Sequence, residues 1–397
     1  MQVLVLNAGS SSLKFALYAE GLTEIARGRV ANLGPHARFE LSRDTTRTRQ
    51  NVVAITHEDA VRLVLSHVAA DWSNDGVVVH RIVHGGMEFS SPVWLDEEVL
   101  TKLAELEILA PLHVPASRQA IAVTREVLGP AVPSVAVFDT ALFQSLPPAA
   151  REYALPTEWR TGFGVRRYGF HGFAHQCLRD AALRTRAATG PLARIVTVQL
   201  GRGCSVAAFR GASPIATSMG FSPLEGLIMP TRSGSVDAAA ALYLIMRGRL
   251  KPEEVLRDLN EKSGLLGLSG ISAEPVELLR RARDGDSTCA LALDAFFYQL
   301  HQYLGAYAGL LGGLDVVAMG GGLCEHVPEV RERLMQGVAW LGCEFTRPVE
   351  AHDDVSVTVL SRPSSKVLAL LVFVDEERIM AEQVVTYLRT REVSSPA

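Results

Sequence analysis

Short apolar runs, most of them followed by glycine, serine or aspartate, recur along the chain and predict buried strands. The predicted strands cover residues 2–6, 14–18, 75–83, 134–138, 195–200, 206–209, 316–319 and 367–374. Apolar positions at helical spacing predict helices over residues 56–68, 236–246, 252–260 and 288–311. Strands that alternate with helices indicate an α/β protein. Residues 43–51 and 393–397 show neither pattern, and we predict no regular structure there.

Two strand–glycine turn–strand segments, one near the start of each half, point to an internal duplication. At an offset of 194 residues, Leu6 aligns with Leu200 and Phe15 aligns with Phe209. Any two buried hairpins with glycine turns would align about as well, so these residues leave the duplication open. A length of 397 residues is typical of two or three domains of roughly 100–200 residues each. We place the boundary near residues 140–150.

The composition is that of an ordinary globular protein and excludes several classes. With 48% apolar and 21% charged residues, the chain is neither disordered nor collagenous. A net charge of −4 argues against a nucleic-acid partner bound by broad phosphate neutralisation. The five cysteines are widely spaced without a CxxC pair, so neither a zinc site nor a disulfide framework is indicated.

The most apolar segments indicate neither secretion nor membrane insertion. The N-terminal segment has no basic region and reaches polar residues after six positions, unlike a signal peptide. The run VLALLVFV at residues 367–374 is too short to span a membrane. We therefore expect a cytoplasmic protein with no membrane partner and reduced thiols.

A turn of small polar residues, NAGSSS, followed closely by Lys14, connects the first two predicted strands. Small residues let backbone N–H groups approach an anion, and the lysine adds positive charge. The spacing of glycine and lysine differs from that of the P-loop. These residues alone slightly favour an ordinary hairpin turn with a solvated lysine over an anion site.

Charged residues at the ends of two predicted strands are candidates for ligand binding. Arg81, in HRIVHGG, suits bidentate recognition of carboxylate or phosphate, and a structural ion pair explains it equally well. Asp139 directly follows the strand 134–138, where it can bind a metal, orient an arginine or cap a helix. We interpret His80 and His84 as structural histidines that bond to backbone carbonyls.

Three further polar residues complete a set suited to phosphoryl transfer, which needs positive charge near the equatorial oxygens together with metal ligands. His171 lies in RRYGFHG, Arg232 lies in MPTRSG, and Glu376 follows the last predicted strand. Taken singly, each has a simpler interpretation as a packed histidine, a solvated arginine or a solvated glutamate. A zinc site at His171 and His175 lacks a nearby third ligand.

Taken together, the motifs resemble those of the acetokinase family of acetate kinases. They are LNAGSSSLKF, HRIVHGG, FDTALF, RRYGFHG, GFSPLEGL with TRSG, and KSGLLGLSG, in family order along essentially the whole chain. The resemblance implies a homodimer and two duplicated actin-like (ribonuclease H-like) domains with the active site in the cleft between them. The N-terminal domain would cover residues 1–145, completed by 378–397, and the nucleotide-side domain would cover residues 146–377.

The resemblance also implies an activity, which is reversible transfer of the γ-phosphoryl group of ATP to acetate or propionate with Mg²⁺ or Mn²⁺, giving an acyl phosphate such as acetyl phosphate, with ADP as the other product. By this resemblance, the catalytic residues are Arg81, Asp139, His171 and Arg232. The acyl substrate contacts Arg81, Val83, Leu112, His113, Phe170 and Pro223. The nucleotide and its phosphates contact Asn7, Ser10, Ser12, Lys14, Gly201, Arg202, Gly203, Glu274, Gly321 and Gly322. The metal lies at Asn7 and Glu376.

The departures from the family pattern fall on the nucleotide side. Arg202 replaces the asparagine of the LGNG loop, and Gln199 replaces a histidine that usually precedes this loop. The SDFRD stretch that holds adenosine is AEPVE at residues 273–277, and GIGEN is GLCEH at residues 322–326. Two alternatives therefore stay open: the same acyl chemistry with a donor such as pyrophosphate, and a non-catalytic acyl-phosphate sensor. The full set of polar site residues argues against the sensor.

Overall fold

The computed structural model describes residues 1–9, 11–73, 75–110, 113–185, 190–346 and 356–394. Ser10 and Leu112, two of the predicted site residues, lie outside the described residues. The chain divides into two compact units, one formed by Met1–Leu142 with Asp375–Ala397 and the other by Phe143–Val374. The domain boundaries that we place after residues 145 and 377 remain predictions.

The first unit is built on a mixed sheet with helices packed on it. Its strands are β1 (Val3–Ala8), β2 (Ser12–Tyr18), β3 (Glu24–Ala31), β4 (Gly34–Arg43), β5 (Thr46–Ala54), β6 (Val77–Ile82), β7 (Val93–Trp94) and β8 (Ser134–Phe138). Its helices before the chain leaves the unit are α1 (His57–Val68), α2 (Glu97–Glu105) and α3 (Val114–Leu128). In the described part of the unit, the strand order is β5-β4-β3-β2-β1-β6-β8-β7.

The second unit is built on a smaller mixed sheet. Its strands are β9 (Arg194–Leu200), β10 (Cys204–Arg210), β11 (Ser213–Thr217), β12 (Val316–Gly320), β13 (Val357–Val359) and β14 (Leu368–Val372). Its helices are α4 (Pro148–Arg151), α5 (Thr157–Gly162), α6 (Gly172–Leu183), α7 (Ala238–Met246), α8 (Pro252–Glu261), α9 (Gly264–Ser269), α10 (Pro275–Arg283), α11 (Ser287–Leu311), α12 (Gly322–His326) and α13 (Pro328–Gln336). Its described strands are ordered β11-β10-β9-β12-β14-β13. The last helix, α14 (Glu376–Ser394), belongs to the first unit.

The two sheets share one topology, which supports the internal duplication. The order β3-β2-β1-β6-β8 in the first unit matches β11-β10-β9-β12-β14 in the second. In both, the first three strands are antiparallel and the last three are parallel. The alignment at a constant offset of 194 is nevertheless wrong, because Leu6 pairs with Phe15 whereas Leu200 pairs with Cys204. The second hairpin has a shorter turn, so one offset cannot align both of its strands.

The helix α1 begins at His57, one residue after the start of the helix predicted over residues 56–68, because Thr56 is its N-cap. The Thr56 hydroxyl accepts from the backbone N–H of Asp59, and the Asp59 carboxylate accepts from the backbone N–H of Thr56. This reciprocal capping box satisfies backbone donors that the first helical turn leaves without partners. Val61, Val64 and Val68 are buried on one helix face. Each such side chain contributes roughly 1.5–3 kcal/mol on burial, so packing rather than propensity holds the helix.

Residues 43–51, predicted to be irregular, form an edge hairpin of β4 and β5. Asp44 lies in the turn with a positive φ of 49°. The first six residues of β5 are exposed, so the alternation that marks a half-buried strand is missing from the sequence. Charged side chains on such an edge discourage pairing with another chain. The prediction of an irregular C-terminal tail is also wrong for residues 393 and 394, because α14 continues through them. Residues 395–397 lie outside the described part.

Our interpretation of His80 as a histidine that bonds to a backbone carbonyl is wrong for the described residues, and His84 makes a hydrogen bond to a backbone N–H. His84 Nδ1 accepts from the Gly86 backbone N–H at 2.9 Å. His80 is 1% exposed, and neither of its ring nitrogens has a hydrogen-bond partner among the described residues. Burial, with a smaller contribution from the charge of Arg125, lowers the pKa of His80 to about 3. His80 is therefore a neutral, desolvated histidine.

Replacing His80 by leucine is expected to reduce the loss of stability at acidic pH. Below pH 6.5 the unfolded wild-type chain binds a proton at His80, while the folded protein does not until about pH 3. The free energy of unfolding therefore falls as the pH drops through this window, by at most about 1.4 kcal/mol per pH unit for one histidine. Urea unfolding at pH 8 and pH 5 measures the difference between the two proteins. His36→Leu, at an exposed histidine, is the control, and an unchanged pH dependence in His80→Leu would contradict the assignment.

All five cysteines are free thiols, as their spacing predicts. Four of them are buried in the second unit, and burial raises the pKa of the Cys204 thiol to about 12. Among the described residues, no helix combines the length and the apolar composition needed to cross a lipid bilayer.

Candidate active site

The polar residues of the first unit meet where parallel strands end. Asn7 lies near the end of β1, Arg81 lies near the end of β6, and Asp139 directly follows β8. Because β1, β6 and β8 are parallel neighbours, their carboxyl ends share one edge of the sheet. The Arg81 guanidinium donates to Asn7 Oδ1 at 3.0 Å and to Asp139 Oδ2 at 2.6 Å. Two strand-end residues thus fix the orientation of Arg81.

The last helix adds two carboxylates to this cluster. Glu376 and Glu377 are the first residues of α14, where the helix dipole favours negative charge. Asn7 Nδ2 donates to Glu377 Oε1 at 2.6 Å and to Glu376 Oε2 at 3.2 Å. The Lys14 ammonium lies 3.7 Å from Glu376 Oε2. Glu377 was not among the predicted site residues, and its signal in the sequence is its place beside Glu376 in a charged run.

Arg81 stays charged in this environment. Burial alone would lower its pKa, but the carboxylates of Asp139, Glu376 and Glu377 outweigh burial and raise the pKa. The side chains of Arg81 and Asp139 are only 12% and 1% exposed, so water screens their ion pair poorly. Three carboxylates face Arg81 and the half-exposed Lys14. The cluster therefore carries an excess of negative charge that suits a bound cation.

A second cluster forms around His171 in the second unit. His171 precedes α6 and has a left-handed backbone, with a φ of 58°. Its Nδ1 lies 2.8 Å from Ser205 Oγ. A Cβ on Gly203 would stand 2.7 Å from His171 Nε2 and 3.8 Å from Nη1 of Arg232. Gly203 thus lets the imidazole and the guanidinium come close, because it has no side chain.

Arg232 lies in a loop that the KSGL segment holds in place. Its Nη1 donates to the Pro223 carbonyl at 3.3 Å, and its own carbonyl accepts from the Met229 N–H at 3.1 Å. Gly264 has a φ of 62°, and a side chain there would overlap the carbonyl oxygens of Met229 and Arg232. Only glycine fits that position. Burial lowers the pKa of Arg232.

A polar cluster fixes the loop 217–226, which carries Pro223. Arg167 Nη1 lies 3.2–3.3 Å from the carbonyls of residues 217–219, and its Nη2 donates to Glu225 Oε1 at 2.7 Å. The Tyr153 hydroxyl donates to the other oxygen of Glu225. Side chains of Arg167 and Tyr153, from a distant segment, therefore help to hold this loop.

The glycines predicted to bind nucleotide form two neighbouring turns. The Gly201 N–H donates to the Gly203 carbonyl at 3.0 Å and closes the β9–β10 turn, on which Arg202 is exposed. Gly321, with a φ of 82°, lies against this turn, because a Cβ there would stand 2.6 Å from the Gln199 side-chain nitrogen. Gly322 follows it at the start of α12. Glu274 is exposed before α10, and its hydrogen bonds, to Ser272 and Leu278, do not reach these turns.

The residues predicted to hold the acyl group lie in both units. Val83 is buried directly after β6, and His113 is the residue before α3. Phe170 is buried in the loop before α6, and Pro223 is partly buried. Leu112 lies outside the described residues. Ser12, predicted to contact phosphate, begins β2, and its carbonyl accepts from the Gly9 N–H at 2.8 Å.

Three buried residues that lead to His171 through hydrogen bonds were not predicted as site residues: Ser205, His175 and Thr197. Ser205 Oγ lies 2.7 Å from His175 Nε2, and His175 Nδ1 lies 2.7 Å from Thr197 Oγ1. These bonds join positions 22 to 34 residues apart, so no local motif reveals them. The sequence offers no third ligand for a zinc site at His171 and His175. In the structure, both ring nitrogens of His175 bond to hydroxyl groups, those of Thr197 and Ser205.

The fold matches those of solved kinases. Superposition on the crystal structure of Porphyromonas gingivalis acetate kinase gives a TM-score of 0.84, with 34% identity, over 98% of this chain and 99% of that chain. A propionate kinase from Francisella tularensis gives a TM-score of 0.86, with 30% identity, over 96% and 98% of the two chains. The chain is therefore a kinase-like protein with the duplicated actin-like fold, as predicted.

Comparison with known sequences identifies the family within this class of kinase-like proteins. The family model described as the acetokinase family matches residues 2–382. The acetate kinase of Bacillus subtilis is 36% identical over 391 residues, which are 97% of this chain and 98% of that protein. The chain belongs to the acetokinase family, and it is a phosphotransferase with a carboxyl group as acceptor.

Proposed function

We propose that the chain catalyses reversible transfer of the γ-phosphoryl group of ATP to acetate or propionate, giving the acyl phosphate and ADP. The names of its relatives, acetate kinases and a propionate kinase, support these substrates. The observation that carries the proposal is the oriented Arg81. Its guanidinium is held by Asn7 and Asp139 and has further N–H groups for carboxylate or phosphoryl oxygens.

The chemistry assigns a role to each charged group. An oxygen of the carboxylate attacks the γ-phosphorus, the bond to the bridging oxygen breaks, and ADP leaves with that electron pair. Negative charge spreads over the equatorial oxygens of the transferring group. In the proposed mechanism, Arg232 and His171 donate to these oxygens, and Arg81 binds the acyl carboxylate and the phosphoryl group in flight. Asp139 keeps Arg81 oriented.

The proposed acyl pocket would favour short acids. Val83, Leu112, Phe170 and Pro223 would surround the methyl group, and His113 would lie beside the carboxylate. Apolar contact discriminates weakly, because one extra methylene changes binding by about 1–3 kcal/mol. Acetate and propionate are therefore both substrates in this proposal.

A divalent cation, which the family implies, fits the carboxylate cluster of the first unit. Mg²⁺ prefers oxygen ligands and usually takes one or two carboxylates together with substrate phosphates. Glu376 offers a carboxylate, and Asn7 Oδ1 has a second lone pair beside the one that accepts from Arg81. Within the described ranges, no three His, Cys, Asp or Glu side chains are arranged to hold a metal alone. We assign Mg²⁺ or Mn²⁺ to Asn7 and Glu376, where it would neutralise charge on the donor phosphates.

ATP is the proposed donor. Its phosphates would contact the glycine turns at residues 201–203 and 321–322 and the N-terminal loop with Ser10, Ser12 and Lys14, and its nucleoside would lie near Glu274. Neighbouring glycine turns let backbone N–H groups approach phosphate oxygens. Arg202 favours pyrophosphate as a second candidate donor, because an extra exposed cation suits a ligand that has only phosphate to recognise.

The test is formation of acetyl phosphate from acetate and Mg²⁺ with ATP, GTP or pyrophosphate, trapped as the hydroxamate. We expect turnover with ATP. Turnover with pyrophosphate alone would keep the acyl chemistry and replace the donor, while no turnover with any donor would favour the acyl-phosphate sensor. Arg81→Ala is the control, since it removes the proposed carboxylate contact. A cytoplasmic location remains a prediction from the sequence.

The homodimer is also a proposal, and α7 supports it. None of the nine residues of α7 is buried. Leu242, Tyr243 and Met246 on this helix are 57%, 65% and 77% exposed. A contiguous exposed apolar surface of this kind marks an interaction site. A second copy of the chain is the partner that the family implies.

A Leu242→Glu/Met246→Glu double variant is expected to be monomeric where the wild type is dimeric. Two carboxylates introduced into an apolar interface would have to lose their hydration on association. Light scattering coupled to gel filtration measures the masses. Val53→Glu, at an exposed apolar residue of β5, should leave the dimer intact. A double variant that stays dimeric excludes α7 as the interface, and a monomeric wild type refutes the homodimer.

A further inference from the structure

A chain of hydrogen bonds leads from the interior of the second unit to His171. Thr197 Oγ1 lies 2.7 Å from His175 Nδ1, His175 Nε2 lies 2.7 Å from Ser205 Oγ, and Ser205 Oγ lies 2.8 Å from His171 Nδ1. Thr197, His175 and Ser205 are 0% exposed. Burial lowers the pKa of His175 well below its ordinary value, so its ring is neutral and carries a single N–H.

Ser205 limits the ways in which protons can be placed along this chain. Its hydroxyl has two side-chain partners among the described residues, His171 Nδ1 and His175 Nε2. A buried hydroxyl without an acceptor costs free energy, so Ser205 donates to one histidine and accepts from the other. In the first arrangement, His171 Nδ1 donates to Ser205. In the second, Ser205 donates to His171 Nδ1, and the ring proton of His171 is on Nε2.

Thr197 distinguishes the two arrangements. In the first, His175 Nδ1 donates to Thr197, whose own hydrogen must then go to the Ala207 carbonyl at 3.4 Å. That separation exceeds the range of about 2.5–3.0 Å for O–H···O bonds. In the second, Thr197 donates to His175 Nδ1 at 2.7 Å, His175 Nε2 donates to Ser205 at 2.7 Å, and Ser205 donates to His171 Nδ1 at 2.8 Å, so all three bonds have normal length. The geometry therefore favours the second arrangement.

We propose that Thr197, His175 and Ser205 are positioning residues that hold His171 as the neutral tautomer with its proton on Nε2. This inference rests on the proposed function, in which His171 donates to an oxygen of the transferring phosphoryl group. Nε2 is the ring nitrogen that faces Gly203, close to Arg232. A neutral donor avoids a second positive charge beside that guanidinium.

The proposed reaction suits a donor that keeps its proton. The attacking group is a carboxylate, which has no proton to lose, and a divalent cation held at Asn7 and Glu376 would stabilise the leaving ADP oxygen as an anion. Carboxylate and ATP on one side and acyl phosphate and ADP on the other carry the same total charge. No general base is needed, so His171 binds and releases the phosphoryl oxygens without changing its protonation.

The first experiment reads the tautomer directly. Histidine ¹⁵N and ¹³Cδ2 chemical shifts of the labelled full-length protein are measured at pH 7.5 without substrates, and the His171 signals are assigned from their loss in His171→Gln. We expect a neutral ring with the proton on Nε2. A proton on Nδ1, or on both nitrogens, overturns the proposal. In Thr197→Val we expect both tautomers of His171. A single unchanged tautomer there would contradict the role of Thr197, because it would show that Thr197 does not set the direction of the hydrogen bonds along the chain.

The second experiment asks whether the chain acts on turnover. Ser205→Ala should lower kcat about tenfold or more with little change in KM for either substrate, because a misplaced donor weakens only the transition state. Ser361→Ala, at another buried and hydrogen-bonded serine of the same unit, should lose similar stability and keep its kcat. Wild-type kcat in Ser205→Ala overturns the positioning role. If the wild type has no kinase activity, the proposed function fails, while the tautomer measured without substrates still decides this assignment.

Discussion

Replacing Arg232 by alanine is expected to lower kcat about a thousandfold, which corresponds to about 4 kcal/mol of transition-state stabilisation. The guanidinium is partly buried beside His171 and, within the part of the chain that the structure describes, makes one hydrogen bond, to the Pro223 carbonyl at 3.3 Å. Charge that develops on the phosphoryl oxygens in such a place depends on fixed cations, because little water is present to solvate it. The measurement is steady-state acetyl-phosphate formation with saturating ATP and acetate.

Two further variants make the Arg232 result specific. Arg232→Lys keeps the charge but loses the planar fork of donors, so it should recover only part of the activity. Arg257→Ala removes an exposed arginine of α8 and should have wild-type kcat. The thermal unfolding midpoint of Arg232→Ala should stay close to that of the wild type, since a single long hydrogen bond is lost. Undiminished turnover in Arg232→Ala would refute the role of Arg232 in stabilising the transferring group.

Gly203→Ala is expected to lower kcat about a hundredfold while the protein stays folded. The added methyl group would stand 2.7 Å from Cε1 and Nε2 of His171, closer than packed atoms approach. The imidazole has to move, and a displaced donor no longer meets the phosphoryl oxygen. The backbone φ of Gly203 is not in the left-handed region, so alanine causes no backbone strain there.

The control for Gly203→Ala is Gly309→Ala on α11, where an added Cβ meets no atom within 4 Å. Both kcat and the thermal unfolding midpoint are measured for each variant. The His171 assignment predicts a large loss of kcat in Gly203→Ala only, with similar midpoints. Equal activity of the two variants would contradict the assignment, because it would mean that turnover does not depend on the position of the His171 imidazole.

Local patterns predicted the parts of the fold that follow from local rules. The apolar run 134–138 is β8 to the residue, and the helix predicted over residues 56–68 is α1, with Thr56 as its N-cap. The order of motifs along the chain identified the acetokinase family, which the comparisons confirm. The strand-end position of Asp139 left open whether it binds a metal, orients an arginine or caps a helix. The structure shows Asp139 accepting from Arg81, because parallel neighbours bring their ends together.

The features that the sequence did not reveal depend on long-range contacts or on burial. Glu377 reaches Asn7 across 370 residues, and Ser205 reaches His171 across 34, so no spacing rule links them. The hairpin of β4 and β5 has a solvated edge strand without apolar alternation. The sequence does not show which groups surround His80, so its lack of hydrogen-bond partners among the described residues could not be predicted. The individual roles of the site residues likewise remain proposals until variants are measured.

The position of α14 has a consequence for how the protein is made. Asn7 is synthesised long before Glu376 and Glu377, which accept from its side chain and lie 369 and 370 residues further along the chain. At synthesis rates of about 5–20 residues per second, the first strands wait many seconds for these partners. A nascent chain that ends before Asp375 contains every described strand of both sheets but lacks both carboxylates. Activity should therefore appear only after α14 has been synthesised.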